Sequence, residues 1–358
     1  MNRYSRHIIL SDIGQEGQNK LLQAKVLVVG AGGLGCPALQ YLTAGGIGTI
    51  GIIDFDVVEE SNLQRQILFG TSTLGINKAL AAKKRLEDLN PTITINAIPE
   101  RLTSKNALEI FKDYDIIVDG TDNFLTRYLI NDAAIITNKP VAYGAIYKFE
   151  GQVSVFNYQE GPSYRCLFPV PPKEGSVANC SEVGVLGVLP GIIGSMQANE
   201  VFKIILEFDT VLSGKLFCYN AKTNQTTTLK INRSDSEFEK VLVRKDHFIN
   251  YHEDISCHDS IPEILVDDIL LKNNITFIDV RELHEQPEIN IPNCVKIPLG
   301  KLEENLDKIN PKNTNIFVCQ SGIRSKNAVR LLLKYDKSNC YSLIGGVSAL
   351  LQQLKIKI

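Results

Sequence analysis

The sequence lacks three features that would each point to a class of protein: a long apolar run, a C-x-x-C pair and an excess of charge of one sign. No apolar run reaches the roughly 20 residues that a membrane span needs. The start, Met1 to Leu10, has no long apolar segment or small-residue cleavage site, which argues against a secretory signal. The net charge of −2 offers no basic footprint for a nucleic acid. We therefore expect a cytoplasmic protein with neither a membrane nor a nucleic acid as its partner.

The eight cysteines are scattered along the chain without compact disulfide spacing. They are Cys36, Cys166, Cys180, Cys218, Cys257, Cys294, Cys319 and Cys340. This pattern is typical of free thiols in a reducing compartment. We expect most of them to be small core residues, with Cys180 and Cys319 as candidates for chemistry.

The length predicts two domains, because 358 residues are too many for one ordinary core. A polar and charged stretch from Asn232 to Ser260 marks a change in composition. Such a change fits a linker or a small bridging segment. The predicted organisation is a first domain at residues 1–240, a linker at 241–260 and a small domain at 261–358.

The stretch from Lys25 to Asp56 predicts a nucleotide-binding βαβ unit. A short Val-rich run, Val26–Val29, indicates a strand buried on both faces. A helix, Pro37–Ala44, and a second strand, Thr49–Ile53, follow and lead to Asp54. The loop between the first strand and the helix contains Gly30, Gly32, Gly33 and Gly35. Glycines let the backbone approach a phosphate closely, and an acid at the end of the second strand can bind ribose hydroxyls. Two alternatives remain open at this point: the stretch could belong to a dinucleotide dehydrogenase, or it could be an α/β turn that binds no nucleotide.

Polar side chains follow the second strand of this unit. Asn62 and Arg65 lie in the loop Ser61–Gln66, where α/β sheets bind ligands. Arg65 can grip a phosphate with two hydrogen bonds, and Lys78, which begins a helix, can add a second cation. Solvated surface charges are the alternative for both.

A further buried strand, Asp115–Asp119, is followed by Asp122, Asn123 and Arg127. This places Asp122 and Asn123 at the same sheet edge as the glycine loop. Asp122 can hold Mg²⁺, which takes oxygen ligands and keeps substrate phosphates in its shell. It can equally be a helix N-cap without any function.

Hydrophobic periodicity predicts the remaining elements of the first domain. The helices are Gln15–Leu22, Lys78–Leu89, Ala107–Lys112 and Phe202–Leu206. The strands are Thr92–Ala97 and those within Lys215–Ile231. The smaller domain again alternates strands and helices. Its strands are Asn274–Val280, Asn315–Cys319 and Tyr341–Ile344, and its helix is Lys326–Lys334.

The strand that ends at Cys319 runs into a tight loop and then a helix, with Arg324 at the turn. Loop amides at a helix N-terminus form a nest for an anion, which favours a thiolate nucleophile at Cys319. Cys319 and Arg324 enclose four residues, one fewer than the five of phosphatases of similar design. The tighter ring suits a terminal sulfur atom rather than a tetrahedral phosphate.

Residues from Arg3 to about Ile231 resemble the MoeB/ThiF activating enzymes, the prokaryotic relatives of ubiquitin-activating enzymes. The resemblance rests on RYSRHIIL, VLVVGAGGLGCPALQYLTAGGIGTIGIIDFD, NLQRQ, DGTDNFLTRY, GAIYKFEGQVSVF, YRCLFP and CSEVGVLGVLPGIIGSMQA. It implies an α/β fold, with a Rossmann-like nucleotide-binding domain built on a mixed sheet. It also implies ATP with Mg²⁺, and adenylation of the C-terminal Gly-Gly carboxylate of a ubiquitin-like sulfur carrier of MoaD/ThiS type. The dehydrogenase interpretation is thereby disfavoured.

Matching positions imply roles for single residues. Gly32 and its loop cradle phosphate, Asp54 binds ribose, and Arg65 and Lys78 neutralise phosphate charge. Asp122 positions Mg²⁺ with Arg127 near it. Arg6 aligns with an arginine that such enzymes, as homodimers, contribute to the neighbouring subunit's site.

Two positions in this part of the chain need separate treatment. Cys180 matches a cysteine that some relatives use to hold the carrier covalently and others keep without needing it. Such enzymes often bind structural zinc through two C-x-x-C pairs. Here the first pair is Ser163-Tyr-Arg-Cys166, and the segment Asn232–Glu237 has no cysteine. One thiolate cannot make a four-ligand site, so we expect no zinc.

The C-terminal part resembles a rhodanese domain through FIDVRELHE, IPNCVKIPLGKLEE, CQSGIRS and LIGGVSAL. The resemblance implies a Cys319 persulfide stabilised by Arg324 and loop amides, loaded by a persulfide donor such as a cysteine desulfurase. An inactive docking module is the alternative. Together the two resemblances imply adenylation followed by sulfur transfer to give a thiocarboxylate. The molybdopterin pathway is favoured over thiamin synthesis and tRNA thiolation, while an ATP-binding scaffold and a non-protein acceptor remain alternatives.

Overall fold

The computed structural model describes residues 3–172, 184–257, 261–269, 272, 274–289, 291–320, 322–333, 335, 337, 339–347 and 349–351. The chain divides into two compact units, Met1–Ser256 and Cys257–Ile358. Each unit contains its own sheet and its own hydrophobic core. None of the described helices combines the length and apolar character required to cross a bilayer.

The first unit is built on an eight-stranded mixed sheet in the order β3-β2-β1-β4-β5-β6-β7-β8. The strands are β1 (Lys25–Val29), β2 (Thr49–Ile53), β3 (Thr94–Ile98), β4 (Ile116–Asp119), β5 (Val141–Tyr147), β6 (Glu150–Phe156), β7 (Lys215–Asn220) and β8 (Gln225–Lys230). Strands β1 to β5 pair in parallel, and β6 to β8 continue the sheet antiparallel. The expected Rossmann-like domain with a mixed sheet is therefore confirmed.

Helices cover the sheet of the first unit. They are α1 (Ser5–Ile8), α2 (Gly14–Gln23), α3 (Gly35–Gly45), α4 (Lys78–Leu89), α5 (Ala107–Lys112), α6 (Phe124–Thr137), α7 (Tyr164–Leu167), α8 (Val188–Ile205), α9 (Asp235–Val243) and α10 (Phe248–Cys257). Short 3-10 turns occupy Glu60–Asn62, Thr71–Thr73 and Lys245–His247. Alternate residues of β1 enter two different cores, Val26 and Val28 on one face and Leu27 and Val29 on the other. This explains why β1 is an unbroken apolar run.

Helix α8 is much longer than the sequence predicted. The expected helix Phe202–Leu206 is only the end of an 18-residue helix that begins at Val188. Pro190 is a residue type that usually breaks helices, but here it lies in the first turn. The backbone N–H that proline lacks would have no partner in that turn, so the helix can begin before Pro190. Gly194 allows close contact with α3, because a Cβ there would lie 2.2 Å from the carbonyl oxygen of Leu34.

The segment expected to be a linker, residues 241–260, is helical for most of its described length. Phe238 and Val241 on α9 pack with Ile135 of α6, and Phe248 enters the core that covers one face of the sheet. The first compact unit accordingly ends at Ser256 rather than at residue 240. The polar composition that suggested a linker belongs to helices with one buried face.

The second unit has a five-stranded parallel sheet in the order β11-β10-β12-β13-β9. The strands are β9 (Glu263–Ile264), β10 (Ile275–Asp279), β11 (Cys294–Lys296), β12 (Thr314–Val318) and β13 (Cys340–Leu343). Its helices are α11 (Val266–Ile269) and α12 (Ile323–Leu333), with 3-10 turns at Leu299–Lys301 and Glu303–Lys308. Phe317 packs into one core and Ile316 and Val318 into another, so β12 is covered on both faces. The loop that carries Cys319 therefore starts from the centre of this sheet.

Candidate functional site

A cavity of about 550 Å³ lies at the carboxyl edge of the first sheet, around the point where strand order reverses between β1 and β4. Eight of the residues that the sequence predicted line it: Gly30, Gly32, Gly33, Asp54, Arg65, Lys78, Asp122 and Asn123. The two loops that meet here are tied to the sheet edge. The N–H of Gly30 donates to Ile53 O, and the N–H of Gly120 donates to Val29 O, both at 2.9 Å. Open parallel sheets bind ligands at this type of crevice.

Asp54 ends β2 and is only 9% exposed. One carboxylate oxygen accepts the N–H of Ala31 at 2.8 Å, and the other accepts the N–H of Asp56 at 2.9 Å. Burial raises the pKa of Asp54, although these two backbone donors oppose the rise. Each oxygen keeps a free lone pair, so the carboxylate can still accept hydrogen bonds from ligand hydroxyls.

Lys78 reaches the cavity from the first turn of α4 and is 7% exposed. Asn77 caps this helix by accepting the N–H of Leu80 at 3.2 Å. The amide of Asn77 also donates to the carbonyl oxygens of Asp54 and Asp56, at 3.0 and 3.2 Å. The ammonium of Lys78 lies 3.3 Å from Asp56 Oδ2. The start of α4 is thus fixed to the end of β2, with its cation directed toward the same cavity.

Asp122 and Asn123, adjacent in sequence, have different roles. Asn123 caps α6, because its side-chain oxygen accepts the N–H of Thr126 at 2.9 Å. The sequence left open whether Asp122 was that cap, and the structure assigns the cap to Asn123. Among the residues that the structure describes, the exposed carboxylate of Asp122 makes no hydrogen bond or ion pair. It is therefore available to a cation at the cavity.

Buried polar groups hold the loop that carries Asp122 in place. Asp119, which is 2% exposed, accepts both the N–H and the hydroxyl of Thr121, at 3.0 and 2.6 Å. Arg127, which is 8% exposed, donates from Nη2 to Thr121 O at 3.1 Å. Arg127 therefore lies behind the loop and does not line the cavity, although the sequence placed it among the ligand-binding residues.

Three more predicted residues lie outside the cavity lining. Gly35 opens α3, and a Cβ there would lie 1.9 Å from Gly30 O, so its role is close packing. Asn62 is 7% exposed, and its carbonyl accepts the N–H groups of Arg65 and Gln66 and holds that turn. Arg6 is exposed on α1.

Sequence reasoning missed several residues that line the cavity. Phe55 follows β2, and Glu100, Arg101 and Leu102 follow β3 shortly after its end. The guanidinium of Arg101 lies 3.6 Å from the centre of the Phe55 ring, within cation–π range. Their position after two neighbouring parallel strands was a signal that could have identified them.

The part of this chain that corresponds to the zinc site of such enzymes contains a buried network of charged and polar side chains. Arg165 on α7 donates to both oxygens of Asp132 on α6, at 2.6 and 2.8 Å, and His252 Nε2 on α10 lies 3.1 Å from Asp132 Oδ2. Burial tends to raise the pKa of Asp132, but the hydrogen bonds from Arg165 and the nearby His252 ring outweigh burial, and the pKa of Asp132 is lowered. This network joins three helices around one carboxylate.

Beside the network, Cys166 Sγ accepts the N–H groups of Ser163 and Ser234, both at 3.3 Å. Across the described ranges, no three His, Cys, Asp or Glu side chains are grouped as ligands of a metal ion. Cys180 lies outside the described residues.

In the second unit, Cys319 follows β12 and is 1% exposed. Its sulfur accepts the N–H of Gly322 at 3.1 Å, so this amide of the loop is directed at the sulfur. Ser325 and Ser342 both donate to Gly322 O, at 2.9 and 3.3 Å, and hold the loop in place. Gly322 has φ +97°, a conformation that favours glycine.

Two arginines at the Cys319 loop are each paired with a carboxylate: Arg324 belongs to the loop, and Arg281 Nη1 donates to Gln320 Oε1 at 3.4 Å. Arg281 is fully buried and donates from Nε and Nη2 to Asp279, at 3.0 and 2.9 Å. Arg324, the predicted loop arginine, donates to both oxygens of Glu285, at 2.5 and 2.7 Å. The hydrogen bonds from Arg324 lower the pKa of Glu285 to about 2. Glu285, Arg281 and Asp279 were not singled out from the sequence as residues of this site.

Residues 4–240 match the ThiF family, and residues 264–353 match the rhodanese-like domain. The chain is 40% identical to a probable adenylyltransferase/sulfurtransferase MoeZ of Mycobacterium tuberculosis, over 99% of this chain and 93% of the relative. It is 51% identical to a sulfur carrier protein adenylyltransferase of Thermus thermophilus, over 65% of this chain and 88% of the relative. Among solved structures, E. coli MccB with MccA-N7isoASN matches 65% of this chain and 72% of that one, with 25% identity and a TM-score of 0.59.

Proposed function

Since the chain belongs to the ThiF family and also carries a rhodanese-like domain, we propose that it is an ATP-dependent adenylyltransferase with sulfurtransferase activity. Its protein substrate is a ubiquitin-like sulfur carrier. The carrier reacts through its C-terminal Gly-Gly carboxylate, which is converted into a thiocarboxylate. The names of the relatives support this assignment, since one combines both activities and another names a sulfur carrier protein.

The observation that carries the first half is the convergence of Asp54, Arg65, Lys78 and Asp122 on one cavity around a glycine loop. Asp54 suits the ribose hydroxyls of ATP, and the glycine loop brings backbone to the phosphates. Arg65 and Lys78 supply positive charge for the triphosphate. Phosphate chemistry is catalysed mainly by such positioning and charge stabilisation.

The donor set also fits Mg²⁺. Asp122 offers two oxygens without a partner among the described residues, and Mg²⁺ is bound by one or two carboxylates together with substrate phosphates. The ion, when bound, neutralises charge on the phosphates. The part played by this chain is to hold the Asp122 carboxylate at a fixed place through Asp119, Thr121 and Arg127.

In the first reaction, a carboxylate oxygen of the carrier's terminal glycine attacks the α-phosphorus of ATP. The bond between the α-phosphorus and the bridging oxygen breaks, and pyrophosphate leaves with the electron pair. The carrier is then an acyl-adenylate. We assign the stabilisation of the leaving pyrophosphate to Arg65 and Lys78.

In the second reaction, the terminal sulfur of a Cys319 persulfide attacks the acyl carbon, and AMP leaves. The resulting acyl disulfide is cleaved by a second thiol, which releases the thiocarboxylate and leaves a disulfide on Cys319. Two further thiols, or one dithiol, then reduce this disulfide and are themselves oxidised to a disulfide, which restores Cys319 and the second thiol. Cys180 is a candidate for the second thiol. The covalent link between the two domains raises the effective concentration of persulfide near the acyl-adenylate.

The remaining assignments are finer. We propose a homodimer in which Arg6 of one subunit serves the cavity of the other, a cysteine desulfurase as persulfide donor, and a cytoplasmic location. Among carriers, the molybdopterin type is favoured over the thiamin type.

ATP–pyrophosphate exchange with purified carriers tests the first half. Each carrier is assayed beside a control that lacks its Gly-Gly tail. We expect exchange with one carrier only when its tail is intact, which would also identify the pathway. ATP binding without exchange for any carrier would contradict the proposal and favour a nucleotide-binding scaffold.

Thiocarboxylate formation with a persulfide donor tests the second half. We expect Cys319→Ala to keep the exchange reaction and to lose thiocarboxylate formation. Formation at the parent rate in this variant would overturn the role of Cys319.

A further inference from the structure

The charges around Cys319 cancel each other. Two cations, Arg281 and Arg324, are matched by two anions, Asp279 and Glu285, each in a two-pronged ion pair. The first pair is buried, with side chains 0% and 3% exposed, and the second is partly open, with 31% and 24% exposed. The formal charge of the four groups is therefore zero. A loop arginine that is neutralised in this way attracts an incoming anion far less than a free guanidinium does.

Glu285 is held in place independently of Arg324. Its carboxylate accepts the N–H of Glu282 at 2.8 Å, and its own N–H donates to Glu282 O at 3.1 Å. The same loop is tied to the core because Arg281 Nη2 donates to Pro287 O at 2.9 Å. The carboxylate is therefore positioned by its own backbone turn, and the ion pair with Arg324 is a built feature of the site.

We propose that Glu285 selects the sulfur donor: by neutralising Arg324, it disfavours dianionic donors such as thiosulfate and leaves Cys319 to a persulfide donor. This inference rests on the proposed function, in which Cys319 carries the sulfur. Glu285 is a specificity-determining residue that acts through Arg324.

The two donors place different charges on the site. With thiosulfate, the Cys319 thiolate attacks the outer sulfur, the S–S bond breaks, and sulfite leaves with the electron pair and two negative charges. With a persulfide, the thiolate attacks the terminal sulfur and a single thiolate leaves. Both steps conserve charge and need no external oxidant. Only the first requires a cationic site that can hold a dianion, and of the two arginines Arg324 is the one whose ion pair is partly open to solvent.

The test compares the full chain with Glu285→Gln and with Glu288→Gln as a matched control. Glu288 is an exposed acid in the same loop, so its removal changes the net charge equally without freeing Arg324. We measure persulfide formation on Cys319 by mass spectrometry, against thiosulfate concentration and against a persulfide-loaded cysteine desulfurase. We expect Glu285→Gln to lower the KM for thiosulfate about tenfold with a smaller change in kcat, because one partly exposed opposing charge is removed. Glu285→Asp restores the charge and should return KM toward the parent value.

The salt dependence of the parent chain gives a second test without any variant. A neutralised site predicts a thiosulfate KM that changes little with ionic strength, whereas Glu285→Gln should show a KM that rises with salt. A steep salt dependence in the parent, or equal thiosulfate KM values for the parent and Glu285→Gln, would overturn the inference while Cys319 persulfide still forms. If Cys319 accepts sulfur from neither donor, both the inference and the sulfur step of the proposed function are wrong.

Discussion

The nucleotide cavity and the Cys319 loop use opposite electrostatic designs. In the cavity, Asp122 has no hydrogen bond or ion pair among the described residues, and Lys78 keeps a single contact of 3.3 Å to an exposed carboxylate. Around Cys319, each arginine makes two charged hydrogen bonds within the chain. Within the part of the chain that the structure describes, the first site leaves Asp122 unpaired and pairs Lys78 only with a partly exposed carboxylate, whereas the second pairs both arginines internally.

The difference follows from where the reactive group resides. A triphosphate, the proposed ligand of the cavity, brings several negative charges, so its site needs cations, and a carboxylate for the proposed Mg²⁺, that can still interact with a ligand. At the second site the sulfur belongs to the protein and is stabilised by the backbone N–H of Gly322. Internal pairing keeps that loop ordered without a ligand and limits the anions that it attracts.

The largest expected effect comes from removing the uncommitted carboxylate of the cavity. Asp122→Asn keeps the side-chain shape but removes the charge, so we expect ATP–pyrophosphate exchange to fall at least about a hundredfold, as when a key electrostatic group is lost. Persulfide loading of Cys319 should be unchanged. Asp113→Asn, at an exposed acid after α5, is the control. Full exchange activity in Asp122→Asn would contradict the claim that the cavity depends on the unpaired carboxylate of Asp122.

The next prediction compares how much two ion pairs contribute to the free energy of unfolding. One is the buried pair of Arg281 and Asp279, and the other is the partly exposed pair of Lys78 and Asp56. Arg281→Met leaves Asp279 buried and unpaired, which should destabilise the second unit by roughly 3–5 kcal/mol. Lys78→Met leaves Asp56, whose side chain is 49% exposed, and should change the first unit by about 1 kcal/mol or less. Urea unfolding followed by far-UV circular dichroism suits a chain with no tryptophan. Equal losses for the two variants would contradict this assignment.

The two sites should also respond to pH with opposite signs. The pKa of Glu285 is lowered from 4.5 to about 2, so between these values the unfolded state binds more protons. The stabilisation by Glu285 is thus present above pH 4.5 and lost as the pH falls toward 2. The pKa of Asp54 is raised above 3.8, so the folded state binds more protons just above pH 3.8 and stability falls as the pH rises through that range.

Urea unfolding at several pH values measures this contrast. The stability difference between Glu285→Gln and the parent should shrink toward zero near pH 2. Asp54→Asn should remove a pH-dependent loss that the parent shows above pH 3.8. Parallel pH profiles for the parent and both variants would show that neither pKa shift affects stability.

The smallest expected effect tests the support of the Asp122 loop. Asn123→Ala removes the cap of α6 and should cost about 1 kcal/mol, with a severalfold loss of exchange through misplacement of Asp122. Asn123→Asp keeps an acceptor for the N–H of Thr126 and should retain stability. A stable Asn123→Ala variant with normal exchange would show that the loop holds itself through Asp119 alone.

Features that depend on neighbouring residues were predictable from the sequence. The helix Lys78–Leu89 and the strand Thr49–Ile53 have the predicted bounds, because their apolar spacing and flanking residues are local signals. The same local pattern placed the glycine loop, Asp54 and Asp122 at one sheet edge. The polar composition of residues 232–260 did not reveal that Phe238 and Val241 are buried, because the burial of a single helix face depends on distant partners such as Ile135.

By itself the sequence determined the two folds, through motifs that recur in one order along the chain. It also determined the glycine loop with its acid and the Cys319 loop, since each of these loops is encoded in one short stretch. Only the tertiary structure decided which side chains share those sites. Arg127 is buried and donates to the loop at Thr121, and Arg101, which follows β3, packs on Phe55, which follows β2. Glu285 pairs with Arg324, which is 39 residues away in the sequence. Side-chain direction and long-range pairing depend on how separate elements pack, and no local pattern specifies that packing.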